Sequence, residues 1–250
     1  MRTLIWSSLL VIIFLAVSCQ EEQPSLSSTA ILDQCIAASG GENFFRSILQ
    51  FQIGDLEYSL RRDGHITDFT LIRALDTVTY KATYQNGHPT FYINDIPQND
   101  SSLSRSFIER RLESFAYQLS FPHVLKQNAV QLTRNDNVFI DDKEYYVLRV
   151  DFHKATKESY DSIFYLYINK ENFLLDFVAS DYELTQKNKL FRRYYNSRFV
   201  KDIRFADYYE FVSLNESLPL DQYYKAFDSL QLESVNHVVL DSIQVTYPKE

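Results

Sequence analysis

The stretch QFQIGDLEYSLRRDGHITDFTLIRALDTVTYKATYQNGHPTFYI, residues 50–93, decides the fold. Its β-branched and aromatic residues form partly alternating runs separated by turn dipeptides. Gln50 to Arg62 reads as one long strand with Leu56, Tyr58 and Leu60 on one face. Asp63-Gly64 is a hairpin signal, because both residues tolerate the positive φ that a two-residue loop requires. His65 to Ala74 returns. Thr77 to Tyr84 runs out to a second such turn at Asn86-Gly87, and Thr90 to Ile93 comes back. Loops this short join only antiparallel neighbours, so the segment is an antiparallel meander.

Downstream, the period changes. Ile108, Leu112, Phe115 and Leu119 are spaced four, three and four apart, one apolar stripe on a helix that Pro122 stops. Strands resume near Ala129. Tyr145 to Phe152, Ile163 to Ile168, Phe173 to Tyr182, Leu190 to Phe199 and Ile203 to Val212 follow, with a hairpin at 169–172 and a turn at Asp141-Asp142. Leu220 to Leu230 reads as a helix and Val235 to Tyr247 as a last strand. The expected fold class is α+β, mostly antiparallel β. About ten or eleven strands form a large curved sheet or half-barrel, since a twisted sheet of that size curls. Helices pack on its concave face, and Ile108, Leu112, Phe115 and Leu119 are candidate lining of an apolar cavity there.

Upstream, Thr29 can cap a helix through Ala38, and Gly40-Gly41 ends it, with a short helical turn expected at Asn43–Ser47. The chain opens with Arg2, an uncharged run from Leu4 to Val17, and Ser18-Cys19. That run is too short to span a bilayer. A positive start, an apolar middle and a small residue before cysteine predict a lipoprotein signal peptide over residues 1–18. Cys19 then carries the lipid as the first mature residue, with palmitate-type chains. Residues 19–28 are a polar tether and residues 29–250 one β-rich domain. The expected location is the outer membrane, lipid-anchored, on the periplasmic or the cell-surface side.

The net charge of −8 argues against nucleic acid as a partner. After Cys19 only Cys35 remains, so no intrachain disulfide forms. Cys35 lies on an apolar helix face with Ile31 and Ala38 and reads as a small buried hydrophobe. Five glycines in 250 residues leave no Gly-rich phosphate loop. Histidines 65, 88, 123, 153 and 237 are scattered without metal-ligand spacing, so neither a metal nor a cofactor is expected. There is no Gly-x-Ser-x-Gly elbow.

A set of short motifs resembles a known family. Phe121-Pro122, Asp141-Asp142-Lys143 with Tyr145, Val150-Asp151-Phe152, Asp161, Tyr165, Phe191-Arg192, Asn196, Arg198 and Ile203 through Tyr208 carry it, with Ala38 to Glu42 at the start. The pattern is similar to a Bacteroidota lipoprotein family of unknown function (domain of unknown function number 6503) over roughly residues 30–212. Ser39 stands where the family's histidine is expected, and Glu113 where an asparagine is. More distantly, the element order resembles the lipoprotein-carrier fold of outer-membrane lipoprotein sorting, which implies a curved sheet around helices and acyl-chain binding. The cluster Gln20-Glu21-Glu22-Gln23 resembles the surface-export signal of Bacteroidota lipoproteins; a solvated linker reads equally well.

Arg192, Asn196, Arg198, Asp207 and Tyr208 carry the resemblance and are the candidate ligand-binding residues. Basic and aromatic side chains interleaved on two strands can hold an anionic head group or a sugar. Cross-strand pairing of the arginines with Asp202, Asp207 and Glu210 is the alternative. The functional expectation is a membrane-anchored binding module for a lipid, an acylated partner or another lipophilic ligand, with its protein partner unspecified and no catalytic residue named. The rivals are an envelope hydrolase using carboxylates near Asp161 and Asp207, and a surface-interaction lipoprotein with no small ligand.

Overall fold

The computed structural model describes residues 26–63, 66–85, 88–98, 120–127, 130–152, 163–181 and 189–248. The expected helix with Ile108, Leu112, Phe115 and Leu119, the signal peptide, Cys19 and Asp161 lie outside these residues.

The expected α+β class with mostly antiparallel strands holds, but fourteen strands are present among the described residues, divided between two seven-stranded antiparallel sheets. The first sheet contains β1 (Ile48–Ile53), β2 (Leu56–Asp63), β3 (Ile66–Leu75), β4 (Val78–Gln85), β5 (His88–Ile93) and β6 (Ile96–Pro97) in sequential order. The second contains β7 (Val130–Ile140), β8 (Lys143–Phe152), β9 (Ile163–Asn169), β10 (Leu175–Asp181), β11 (Lys189–Val200), β12 (Ile203–Ser213) and β13 (Leu232–Val238). The chain then returns to the first sheet, where β14 (Asp241–Thr246) pairs beside β1.

Tight turns without glycine join several of these strands, and the one at Asn94-Asp95 adds the unexpected β6. Asn94-Asp95, Asp141-Asp142 and Lys201-Asp202 hold φ between 48° and 65° at both positions, and Asp76 holds 48°. Asn and Asp accept this region better than other side-chain-bearing residues, and such turns match the twist of a hairpin. The expected strand from Gln50 to Arg62 is in fact a hairpin. Gly54, at φ 58°, turns the chain so that Ile53 faces Leu56. The expected last strand, Val235 to Tyr247, breaks at Val239-Leu240 into β13 and β14, which belong to different sheets.

The second sheet is covered on both faces. Helix α1 (Ser28–Ala38), capped by Ser27 Oγ accepting from Ala30 N at 3.1 Å, lays Ile31, Leu32, Cys35 and Ile36 against Leu148, Val150, Phe164 and Leu166. The opposite face holds Tyr145, Tyr167, Phe177 and Phe191 against Leu220, Tyr223 and Phe227. The latter residues come from a 3-10 turn (Leu220–Gln222) that runs directly into a helix (Tyr223–Asp228), shorter than the expected Leu220–Leu230. Leu230 itself is 90% exposed. Between α1 and the short helix α2 (Glu42–Phe45), Gly40 lets the chain approach β12. A Cβ there would sit 3.1 Å from the Ile203 Cα, in a backbone conformation with φ 128°.

The two sheets meet in a third core. Leu49, Phe51, Tyr58, Leu60, Phe69 and Val245 of the first sheet pack with Phe44 and Phe45 of α2 and with Ile203, Phe205, Tyr208 and Leu240. This junction positions the site.

Candidate functional site

A cavity of about 70 Å³ lies within the junction. Leu49, Phe51 and Leu60 line it from the first sheet, Phe44 and His123 from the connecting segments, and Ile203, Ala206 and Tyr208 from β12. Ser39, Arg192, Tyr194, Arg204 and Leu240 also reach its wall. The lining is mostly apolar and aromatic with a few polar groups, the usual make-up of a small-molecule site. The His123 ring stacks on Phe44 at 4.0 Å between centroids, inclined by 11°.

The structure divides the sequence candidates into two groups. Arg192 and Tyr208 are on the cavity wall; Asn196, Arg198 and Asp207 are not among the lining residues. On the wall, Arg192 donates to Glu210 at 2.6 Å and lies over the Tyr208 ring, 4.1 Å from its centroid. A further donation reaches Tyr194 Oη at 3.4 Å. Burial alone would raise the Glu210 carboxyl, but Arg192 and Asn236 outweigh it and hold Glu210 below the usual carboxylate range. Burial pushes the Tyr208 phenol up to about 12, so it stays protonated.

The second arginine on the wall, Arg204, has a side chain only 7% exposed. It donates to Leu175 O at 2.7 Å and to Ser197 Oγ at 3.0 and 2.9 Å, and lies 3.5 Å from Asp176. Burial lowers its pKa, with Asp176 opposing. Both arginines are thus engaged by protein groups. The partners expected from sequence are found for Arg192 with Glu210 and Arg198 with Asp207, whereas Arg193 pairs with Asp141 and Arg204 with Asp176.

Asn196, Arg198 and Asp207 form a knot at a bulge, where register shifts between Tyr195 and Arg198. Asn196 sits at φ 49°. Asp207, 1% exposed, accepts from Asn196 Nδ2 at 2.7 Å, from Arg198 at 3.0 Å and from Leu240 N at 2.9 Å. Arg198 in turn donates to Leu240 O. Both backbone groups of Leu240 are therefore held by side chains at the point where the chain leaves one sheet for the other. This explains why the expected last strand breaks there. A buried carboxylate that holds three donors across the crossing acts as a structural clasp.

Sequence reasoning missed Ser39, Phe44, Tyr194, Arg204 and Leu240 as lining residues. Ser39 was marked only as a departure from a motif. Tyr194 and Arg204 stand among the interleaved basic and aromatic residues of β11 and β12, whereas Phe44 and Leu240 gave no signal, because the two sheets join residues some 150–200 positions apart in sequence. Cys35 is fully buried beside this region, and burial raises its thiol to about 12, which makes it unreactive.

A model described as a family of unknown function (DUF6503) matches residues 9–239. The chain belongs to this family. A comparison of the DUF6503 chain with curated proteins finds no match. Among solved structures it is similar to a LolA-superfamily protein from Nitrosomonas europaea, with TM-score 0.43 and 11% identity over 81% of this chain and 100% of that one. A domain of an outer-membrane lipoprotein-sorting protein from Vibrio parahaemolyticus gives TM-score 0.39 and 7% identity over 81% and 99%. The lipoprotein LppX of Mycobacterium tuberculosis gives 0.29 and 12% over 63% and 91%. Among the described residues of the DUF6503 chain no helix is long and apolar enough to cross a membrane.

Proposed function

We propose that this protein is an envelope lipoprotein, tethered to the outer membrane through acyl chains on Cys19, whose domain binds part of a lipophilic ligand between its two sheets. Cleavage after residue 18, a tether over 19–28 and a single domain over 29–250 belong to the same proposal. The observation that carries it is the cavity at the sheet junction, built from Leu49, Phe51, Leu60, Ile203 and Tyr208. Burial of apolar surface at about 25 cal/mol/Å² supplies affinity without covalent chemistry.

The volume bounds what enters. About 70 Å³ is room for roughly five water-sized groups, well below the roughly 300 Å³ at which pockets enclose a whole small molecule. The cavity therefore receives one segment of a ligand whose remainder lies outside it. Photo-crosslinking with a diazirine-bearing octanoyl methyl ester tests this. The expected crosslinks concentrate on lining residues such as Leu49, Ile203 and Leu240, and fall at least about fivefold in Ala206→Phe, which fills the cavity. Labelling spread over the surface and indifferent to Ala206→Phe would contradict the reading.

A further inference from the structure

The polar groups on the cavity wall discriminate between kinds of ligand. Arg192 is neutralised by Glu210 at 2.6 Å, and a further donation goes to Tyr194. The donors of Arg204 reach Leu175 O and Ser197 Oγ, with Asp176 at 3.5 Å. An anion entering here would meet two guanidiniums whose charge is already balanced by Glu210 and Asp176, and it would shed its hydration for little electrostatic return.

Ser39 differs from both. It is 3% exposed and lines the cavity at the C-terminus of α1. Its N–H donates to Cys35 O and Ile36 O at 3.1 Å, and its carbonyl accepts from Arg204 N at 3.1 Å. Its Oγ, beside the Cys35 thiol, makes no hydrogen bond of good geometry. A buried hydroxyl left unsatisfied costs about 1–3 kcal/mol, and a ligand that fills it recovers part of that. A hydroxyl both donates and accepts, so it serves a carbonyl or a hydroxyl equally well.

We infer that the segment bound in the cavity carries a neutral hydrogen-bonding group, an ester, amide or alcohol on an apolar chain, which pairs with Ser39 Oγ, and that free carboxylates and phosphates are rejected. The inference rests on the lipophilic-site reading above and narrows it to a ligand class.

The test compares 1-octanol with octanoate at pH 8, titrated into the secreted chain carrying Cys19→Ser, with methyl NMR of Leu49, Ile203 and Leu240 as the readout. Cyclohexane serves as a probe without a hydrogen-bonding group. Octanol is expected to bind at least about tenfold more tightly than octanoate. Ser39→Ala is expected to weaken octanol about three- to tenfold while leaving cyclohexane unchanged. Octanoate binding as tightly as octanol, or Ser39→Ala leaving octanol unaffected, would overturn the inference while the lipophilic reading stands. If none of the three probes perturbs the lining methyls, the lipophilic reading fails and the inference falls with it.

Discussion

Glu210→Ala is expected to destabilise the domain by about 3–5 kcal/mol, the range for removing one partner of a buried ion pair. Arg192 and Glu210 have side chains only 10% and 13% exposed. Without the carboxylate, the guanidinium remains buried against Tyr208 with its charge uncompensated, and Asn236 loses its acceptor at 2.9 Å. The same reasoning predicts a rescue. Replacing the pair together, as Arg192→Met with Glu210→Leu, removes both desolvation costs and should return stability to within about 1 kcal/mol of the parent. Urea unfolding of the three proteins checks this. A double variant no more stable than the single one would show that Glu210 matters for some reason other than its charge.

Loss of the Asp207 carboxylate should cost about 3 kcal/mol, because Asp207→Ala leaves the buried Leu240 N–H unsatisfied and releases Asn196 and Arg198. The loss should be local first. Exchange of the Leu240 amide rises before that of β9 or β10, since only the crossing between sheets is unlatched. The pH dependence has a definite sign. Burial would raise the Asp207 carboxyl, but Leu240, Asn196 and Arg198 outweigh it, and the folded pKa is depressed. A group depressed in the folded state adds stability that is complete above its unfolded value, about 3.9, and fades as pH falls through the folded one. The stability gap between the parent and Asp207→Asn should therefore be full at pH 7 and close below about pH 4. A gap constant down to pH 2 would contradict the clasp.

The antiparallel class was legible because side-chain alternation and turn dipeptides are local signals. Asp63-Gly64 and Asn86-Gly87 stand between the strand pairs β2–β3 and β4–β5, which are hydrogen-bonded as expected. The division into two sheets was not legible. It depends on Leu240, whose break from strand geometry is imposed by Asp207 and Arg198 more than 30 residues earlier. Val239 and Asp241 continue the alternation straight through it, so no local pattern marks the crossing. Gly54-Asp55 was readable as a turn, but the apolar residues on either side masked it as one long strand.

The candidate site was half legible for a related reason. Arg192, Asn196, Arg198, Asp207 and Tyr208 stood out together because they share two adjacent strands. Strand pairing does place them close, but the bulge at Asn196 and the twist direct Arg192 and Tyr208 to the cavity and the other three to the clasp. Ser39 lies on another element, and only tertiary contact between Gly40 and Ile203 brings it alongside.

Native mass spectrometry tests the central claim most directly. The secreted chain with Cys19→Ser is purified from a bacterial host without detergent, sprayed from volatile buffer, and its bound species are extracted into organic solvent. The prediction is one stoichiometric lipophilic molecule of neutral ester, amide or alcohol type, absent from Ala206→Phe. A bare protein mass that takes up neither 1-octanol nor a methyl ester would contradict the claim and assign the sheet junction a purely structural role.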